Sequence, residues 1–267
     1  MAQLISAVEL WQNETSLPSV PTFSQSLDKV FGSDGVQLNT MNELLGLPGS
    51  GKTQLCIQLC ASIQIPTILG GLDAEALYID TNTNFTAKRF KETVVGSLNR
   101  CHKLLENPAE VDELAALRRL HYVNAFGLEK FCAFMYQLPN VINKHDKIKL
   151  IVIDSITFPF KVGISSTQRT GLLFRQMAEL QKLAVQKQIA IVMTNEMSTR
   201  MGLSSGPLVG SLGDAWAHRC NKRVLLSHDE HDASNRIALC LKSNNSPNTV
   251  GRFRITQDGI RDIETKT

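Results

Sequence analysis

The sequence predicts an α/β fold: a mostly parallel central sheet with helices on both faces and antiparallel strands at its C-terminal edge. Short β-rich runs alternate with helical patterns between residues 42 and 194, which is the rhythm of strand, crossover helix and parallel strand. Beyond residue 220 the runs become closely spaced and are joined by turns. A glycine-rich turn, GLPGSGKT at Gly46 to Thr53, stands between the first of these strands and a helix.

The opening MAQLISAVELWQNETS has neither the basic start nor the apolar block of a signal peptide. No apolar stretch approaches the roughly 20 residues that a membrane span needs. A soluble chain without a membrane partner is therefore expected. The run around residues 12 to 22 is rich in Asn, Ser and Pro and reads as a linker, so residues 1–19 are expected to form an N-terminal arm and 20–267 the domain. At 267 residues and 43% apolar, the chain can bury one sizeable core. The expected strands are NELL at 42–45, EALYID at 75–80, RLHYV at 119–123, KLIVID at 149–154 and IAIVMT at 189–194. The last two are almost wholly apolar, as strands covered on both faces are. Between them Leu173, Met177, Leu180 and Ala184 fall on one face of an amphipathic helix. The C-terminal runs NKRVLLS, RIALCL and RFRI, with turns at Asp229 to Ser234 and Asn244 to Asn248, are expected to extend one sheet edge as antiparallel strands.

The 6 cysteines lack disulfide or metal-ligand spacing, and Cys56 and Cys60 lie one helical turn apart in an apolar helix, so they read as small core residues in a reducing compartment. Sequons at Asn13, Asn84 and Asn244 carry little weight without a secretory signal. The net charge of +3 is mild, so any binding of nucleic acid has to come from local basic loops.

The run Gly46, Leu47, Pro48, Gly49, Ser50, Gly51, Lys52, Thr53 fits G-x-x-x-x-G-K-T, in the strand-to-helix context the motif requires. A chance match in a chain of this length is about a 1% event. Its glycines allow successive N–H groups to converge on phosphate oxygens at a helix N-terminus. Lys52 supplies a point charge for the β- and γ-phosphates of ATP, and Thr53 offers a hydroxyl to Mg2+. Asp154, at the carboxyl end of LIVI, emerges beside this loop and can hold the magnesium through water.

The order GLPGSGKTQLC, EALYIDT, Arg89, LIVIDS, IVMTN and KSNNSP resembles the RecA-family strand-exchange recombinases over roughly residues 20 to 262. QIP followed by GG, FPF at 158–160 and LGDAWAH at 212–218 look similar to the eukaryotic paralogues of the C type, spindle-D-like. The resemblance implies a RecA-like P-loop ATPase core and ATP-dependent association with DNA. It also implies a nuclear role, with the cytoplasm as a second compartment, in repair of double-strand breaks by homologous recombination, including meiotic recombination. Its partners would be single-stranded DNA, recombination intermediates and other recombinase paralogues in a hetero-oligomer. Residues 158–167 would be the first DNA-facing loop with Lys161 as phosphate contact, and 197–212 the second with Arg200. Each cation would position the DNA backbone without reading bases, and a solvated surface charge is the alternative at each. Residues 243–247 would lie over a neighbouring subunit's nucleotide or form a surface turn.

Three departures from the family stand out. Where the family has a glutamate that activates water, this chain has Asn82, whose amide orients water but cannot take its proton. Where the family has a glutamine that senses the γ-phosphate, this chain has Glu196. Either the pair has exchanged roles or hydrolysis has decayed, and slow hydrolysis is the expectation. The helix-hairpin-helix domain and Phe-x-x-Ala segment usual in the family are not found, so a long homopolymeric filament is not expected. Leu4, Ile5, Val8, Leu10 and Trp11 can dock on a different partner or pack on the chain's own core. A nucleotide-gated scaffold and a P-loop enzyme transferring phosphate to a small molecule are the competing classes. The latter lacks the expected arginine-rich lid.

Overall fold

The computed structural model describes residues 4–263 apart from 33, 104–110, 162, 200–207, 211, 213, 230, 231, 233, 245 and 246, with backbone alone at 166, 198, 199, 208–210, 214 and 215. The first helix, α1 (Ala7–Thr15), begins with a capping box: the Ser6 hydroxyl accepts from Glu9 N at 3.2 Å, and the Glu9 carboxylate accepts from Ser6 N at 2.8 Å. None of its residues is buried, and Leu4, Ile5, Val8, Leu10 and Trp11 are all exposed. Packing of the arm on the chain's own core, one of the two alternatives for these side chains, is thus not what the structure adopts. Next, β1 (Ser19–Val20) pairs antiparallel with β2 (Val36–Gln37) around α2 (Gln25–Phe31).

The strand-helix alternation follows as β3 (Met41–Gly46), α3 (Lys52–Ser62), β4 (Glu75–Asp80), α4 (Ala87–His102), α5 (Glu113–Arg118), β5 (Leu120–Asn124) and α6 (Leu128–Lys144). It continues through β6 (Ile148–Asp154), α7 (Ser166–Lys187), β7 (Ala190–Thr199), β8 (Leu208–Gly210) and α8 (Asp214–Ala217). The C-terminal strands are β9 (Lys222–His228), β10 (Asn235–Lys242), β11 (Val250–Thr256) and β12 (Gly259–Asp262). Across the sheet the order is β12, β11, β10, β9, β3, β7, β6, β4, β5, and β8 pairs with β7. Every strand run expected up to residue 194 is present, and their mutual pairings are parallel.

One C-terminal strand differs from expectation. β9 pairs parallel with β3, Leu44 opposite Val224, and antiparallel with β10. The chain leaves β7 and passes through β8 and α8 before β9, a crossover long enough to return it in the parallel sense. The antiparallel extension therefore begins at the β9–β10 pair.

Successive residues of the central strands point to opposite faces, so each strand feeds two cores. On one face Phe131, Leu138, Met177 and Leu180 of α6 and α7 cover Leu77, Ile79, Ile151, Ile153 and Ile191. On the other Phe31, Leu55, Leu59, Phe90 and Val94 cover Ala76, Tyr78, Leu150, Val152 and Val192. Each large apolar side chain buried in this way contributes about 1.5–3 kcal/mol. Leu173, Met177, Leu180 and Ala184 are all buried, as their spacing requires. Cys56 and Cys60 are buried free thiols whose pKa burial pushes up, which matches their reading as core residues. Glu43 of β3 is fully buried and accepts from Arg223 Nε at 2.5 Å, Asn195 Nδ2 at 2.5 Å and Trp216 Nε1 at 2.8 Å. A carboxylate so enclosed requires those donors, and they tie β9, β7 and α8 to the strand that leads into the glycine-rich turn.

Candidate nucleotide site

The parallel register aligns the carboxyl ends of the central strands: Gly46 of β3 lies opposite Glu196 of β7, and Asp80 of β4 opposite Asp154 of β6. Residues 47–51 turn there from β3 into α3. Gly51 adopts φ 101° immediately before Lys52, a left-handed conformation that side chains resist. At Gly46 an added Cβ would collide with Ser50 Oγ and the carbonyl of Leu226. Lys52 Nζ donates to the carbonyls of Gly46 at 2.8 Å and Leu47 at 3.0 Å. Burial pulls its pKa down against the opposing pull of the Asp154 and Glu196 carboxylates, so its ammonium is poorly solvated.

Asp154 is the hub of the site. It is nearly buried and accepts from Thr53 Oγ1 at 2.7 Å, Tyr78 OH at 2.7 Å and Thr194 Oγ1 at 2.5 Å. Tyr78 is raised well above its ordinary pKa by burial and then by the Asp154 charge, so it remains a neutral donor. Tyr78 and Thr194 are contacts that sequence reasoning missed. Both were visible only as members of strands, because their partner lies far along the chain.

Asn82 lines the same cleft in the loop after β4. That loop is organised by Asp80, whose carboxylate accepts from the backbone N–H groups of Asn82 at 3.1 Å and Phe85 at 3.1 Å, and from Tyr122 OH at 3.1 Å. Glu196 also lines the cleft, with its carboxylate 2.5 Å from Lys161 Nζ. Lys161, expected to face DNA, thus reaches the edge of the nucleotide cleft. Arg200 lies outside the described residues, as does most of the second expected DNA loop. The two ends of that loop form the β7–β8 ladder, Ser198 opposite Val209. Within residues 243–247, 245 and 246 are also outside.

The C-terminal strands and the turn before β10 close the cleft through Ser234, Arg236 and Ile255, side chains with no motif to mark them. Arg89 anchors this wall: its Nη2 donates to Thr256 O at 2.7 Å, its Nη1 to Gln257 O, and its Nε to Gln54 Oε1 at 2.6 Å. The cavity is about 650 Å³, within the roughly 300–1,000 Å³ of small-molecule clefts. The residues fit a magnesium nucleotide on two grounds. The Thr53–Asp154 donor set is oxygen alone, which suits magnesium. Ser50 Oγ, in the glycine-rich turn, is buried without a hydrogen-bond partner.

A mostly parallel α/β sheet with this turn facing a strand-end aspartate defines a RecA-like P-loop domain. The Rad51 family profile matches residues 14–263, and the chain belongs to that family. Among similar proteins, "DNA repair protein RAD51 homolog 3" of Cricetulus griseus is 30% identical over 96% of this chain and 72% of its own length. The protein of the same description from Dictyostelium discoideum is 29% identical over 97% of this chain and 70% of its own. "DNA repair and recombination protein RadA" of Metallosphaera sedula is 33% identical over 97% of this chain and 77% of its own. The two RAD51 homolog 3 proteins agree with the likeness to eukaryotic paralogues. No helix among the described residues is long and apolar enough to cross a membrane.

Proposed function

We propose that this chain binds ATP with magnesium and works as a recombinase paralogue in homologous-recombination repair of DNA double-strand breaks, including meiotic recombination. It acts in the nucleus on single-stranded DNA and recombination intermediates, inside a hetero-oligomer with other recombinase paralogues. The observation that carries the reading is the Thr53–Asp154 contact of 2.7 Å beside the poorly solvated ammonium of Lys52. Magnesium bound with ATP neutralises phosphate charge and orients the phosphates. Thr53 and Asp154 are its holders, Gly46 to Gly51 supply backbone N–H donors, and Lys52 is the cation for the β- and γ-phosphates. The exposed apolar side chains of α1 give the residue 1–19 arm a surface for a different subunit.

A second reading, a nucleotide-gated scaffold that hydrolyses ATP slowly or not at all, is favoured by one observation. Asn82 has no base to offer, and the one acid besides Asp154 among the described residues that line the cleft, Glu196, is engaged by Lys161 at 2.5 Å.

DNA contact through Lys161 and Arg200 is electrostatic and weakly sequence-specific. Single-strand affinity, measured with ATP and magnesium, is expected to fall with salt in proportion to the phosphates contacted. Replacing both, Lys161→Ala with Arg200→Ala, is expected to lower affinity and flatten the single-strand salt slope by about 1.4. An affinity and slope both equal to those of the parent chain would contradict the DNA assignment.

A further inference from the structure

Three donor side chains meet at the opposite end of the sheet from the nucleotide cleft. They are Glu75 at the start of β4, His121 in β5, and His145, which caps the C-terminal end of α6. One ligand atom from each lies within 4.8 Å of the other two. Glu75 Oε2 and His121 Nε2 are 2.7 Å apart, and the rings of His121 and His145 are 4.7 Å apart between centroids. β4 runs from Glu75 to Asp80, so a strand's length, roughly 17 Å at about 3.3 Å per residue, separates this cluster from the cleft.

We propose that Glu75, His121 and His145 form a binding site for a divalent transition-metal ion, with zinc(II) the best fit, distinct from the magnesium site at Asp154. Two imidazoles and one carboxylate are a donor set of intermediate softness, which favours zinc, nickel or copper over magnesium and calcium. Three protein ligands plus one water complete the tetrahedron of an open zinc site.

The backbone beneath all three is fixed by the fold. Glu75 N donates to Lys147 O at 2.9 Å, Ile148 N donates to His145 O at 3.1 Å, and His121 lies opposite Leu77 in the parallel register. Ligands carried on strand and helix ends in this way need only side-chain rotation to close. Bonds of about 2.1 Å at tetrahedral angles put ligand atoms roughly 3.4 Å apart. Binding would require the His145 ring to move in from the present spread of up to 4.8 Å and the Glu75–His121 contact of 2.7 Å to open to that value, both by side-chain rotation. The Glu75 and His121 side chains are 21% and 29% exposed and His145 is exposed, which leaves an entry path from solvent. A Glu75–His121 hydrogen bond with the His145 ring tilted against His121 is the alternative, and it makes no use of a third donor atom.

An ion held there joins the amino ends of β4 and β5 to the α6–β6 turn, and β6 carries Asp154 at its far end. Because the site exists only in the folded chain, zinc would raise the unfolding temperature by mass action.

The test is a zinc titration of the metal-stripped full chain in competition with a chromophoric chelator, repeated with cobalt(II) as an optical probe. The expected result is one equivalent bound, a cobalt spectrum of tetrahedral nitrogen and oxygen ligation, and at least tenfold weaker binding in His121→Gln and in His145→Gln. His145 is exposed, so His145→Gln keeps the fold, as metal-free thermal unfolding checks, and carries the test alone if His121→Gln fails to fold. Affinity unchanged in His145→Gln overturns the proposal. So does a cobalt spectrum with thiolate charge-transfer bands, which would move the ion to the cysteines, or wild-type uptake no tighter than that of the chain carrying both His121→Gln and His145→Gln.

Discussion

Asn82 and Glu196 stand on the walls of one cleft, and neither is set up as a base in this arrangement. An amide has no proton affinity to offer, and the Glu196 carboxylate is occupied by the Lys161 ammonium at 2.5 Å. Both partners are partly exposed, so their pairing is worth at most about 1 kcal/mol and can open. General-base assistance is worth roughly 10²- to 10⁴-fold in rate, or about 3–5 kcal/mol of barrier. Wild-type turnover is therefore expected near background, with or without single-stranded DNA, and Asn82→Glu is expected to raise it. A residual rate abolished by Glu196→Gln would instead assign the base to Glu196. Brisk DNA-stimulated turnover by the isolated wild-type chain would contradict the slow-hydrolysis reading. Nothing in the local sequence foretold the Lys161–Glu196 pair, since FPFK and NEM read separately as a loop and a strand end. Only the side-by-side placement of β6 and β7 brings them together.

At the scale of elements, α2 is held to the C-terminal hairpin by the Asp262 carboxylate. Asp262 of β12 accepts from Ser24 Oγ at 2.6 Å and from the first N–H of α2, that of Gln25, at 3.0 Å, which complements the helix dipole. Asp28 on α2 accepts from Thr22 N at 2.8 Å and Thr22 Oγ1 at 2.7 Å. Burial nevertheless raises Asp28 from 3.8 to about 6, with the Asp262 and Asp34 charges adding to the rise and the Thr22 bonds opposing it. The sign follows from linkage. Below pH 3.8 the group is protonated in both states. Between there and about pH 6 the unfolded chain ionises first, so stability falls as pH rises, by up to roughly 3 kcal/mol at about 1.4 kcal/mol per unit. Asp28→Asn keeps an acceptor for Thr22 and lacks the titration. Its stability relative to wild type, followed by chemical denaturation, is expected to grow from pH 4 to pH 6 and then level off. A difference that stays constant across that window would contradict it.

Over the whole molecule, what was legible in the sequence was whatever is local or periodic. The five strand runs, the buried face of Leu173 to Ala184, and the turn from Gly46 to Thr53 depend on spacing along the chain. What escaped was set by pairing between distant segments. The parallel docking of β9 on β3, the donors of Tyr78 and Thr194 to Asp154, the enclosure of Glu43 by Arg223 and Trp216, and the cluster of Glu75 with His121 and His145 all follow from sheet order. That order places the ends of β3, β4, β6 and β7 around one cleft, and occupancy of the cleft by ATP is the claim on which the gating role rests. The most direct test is a calorimetric titration of ATP with magnesium into the wild-type chain and Lys52→Ala. Saturable binding by the wild type is expected, with at least a tenfold loss, about 1.4 kcal/mol, in the variant. Equal affinity in the two proteins, or no binding by the wild type, would contradict it.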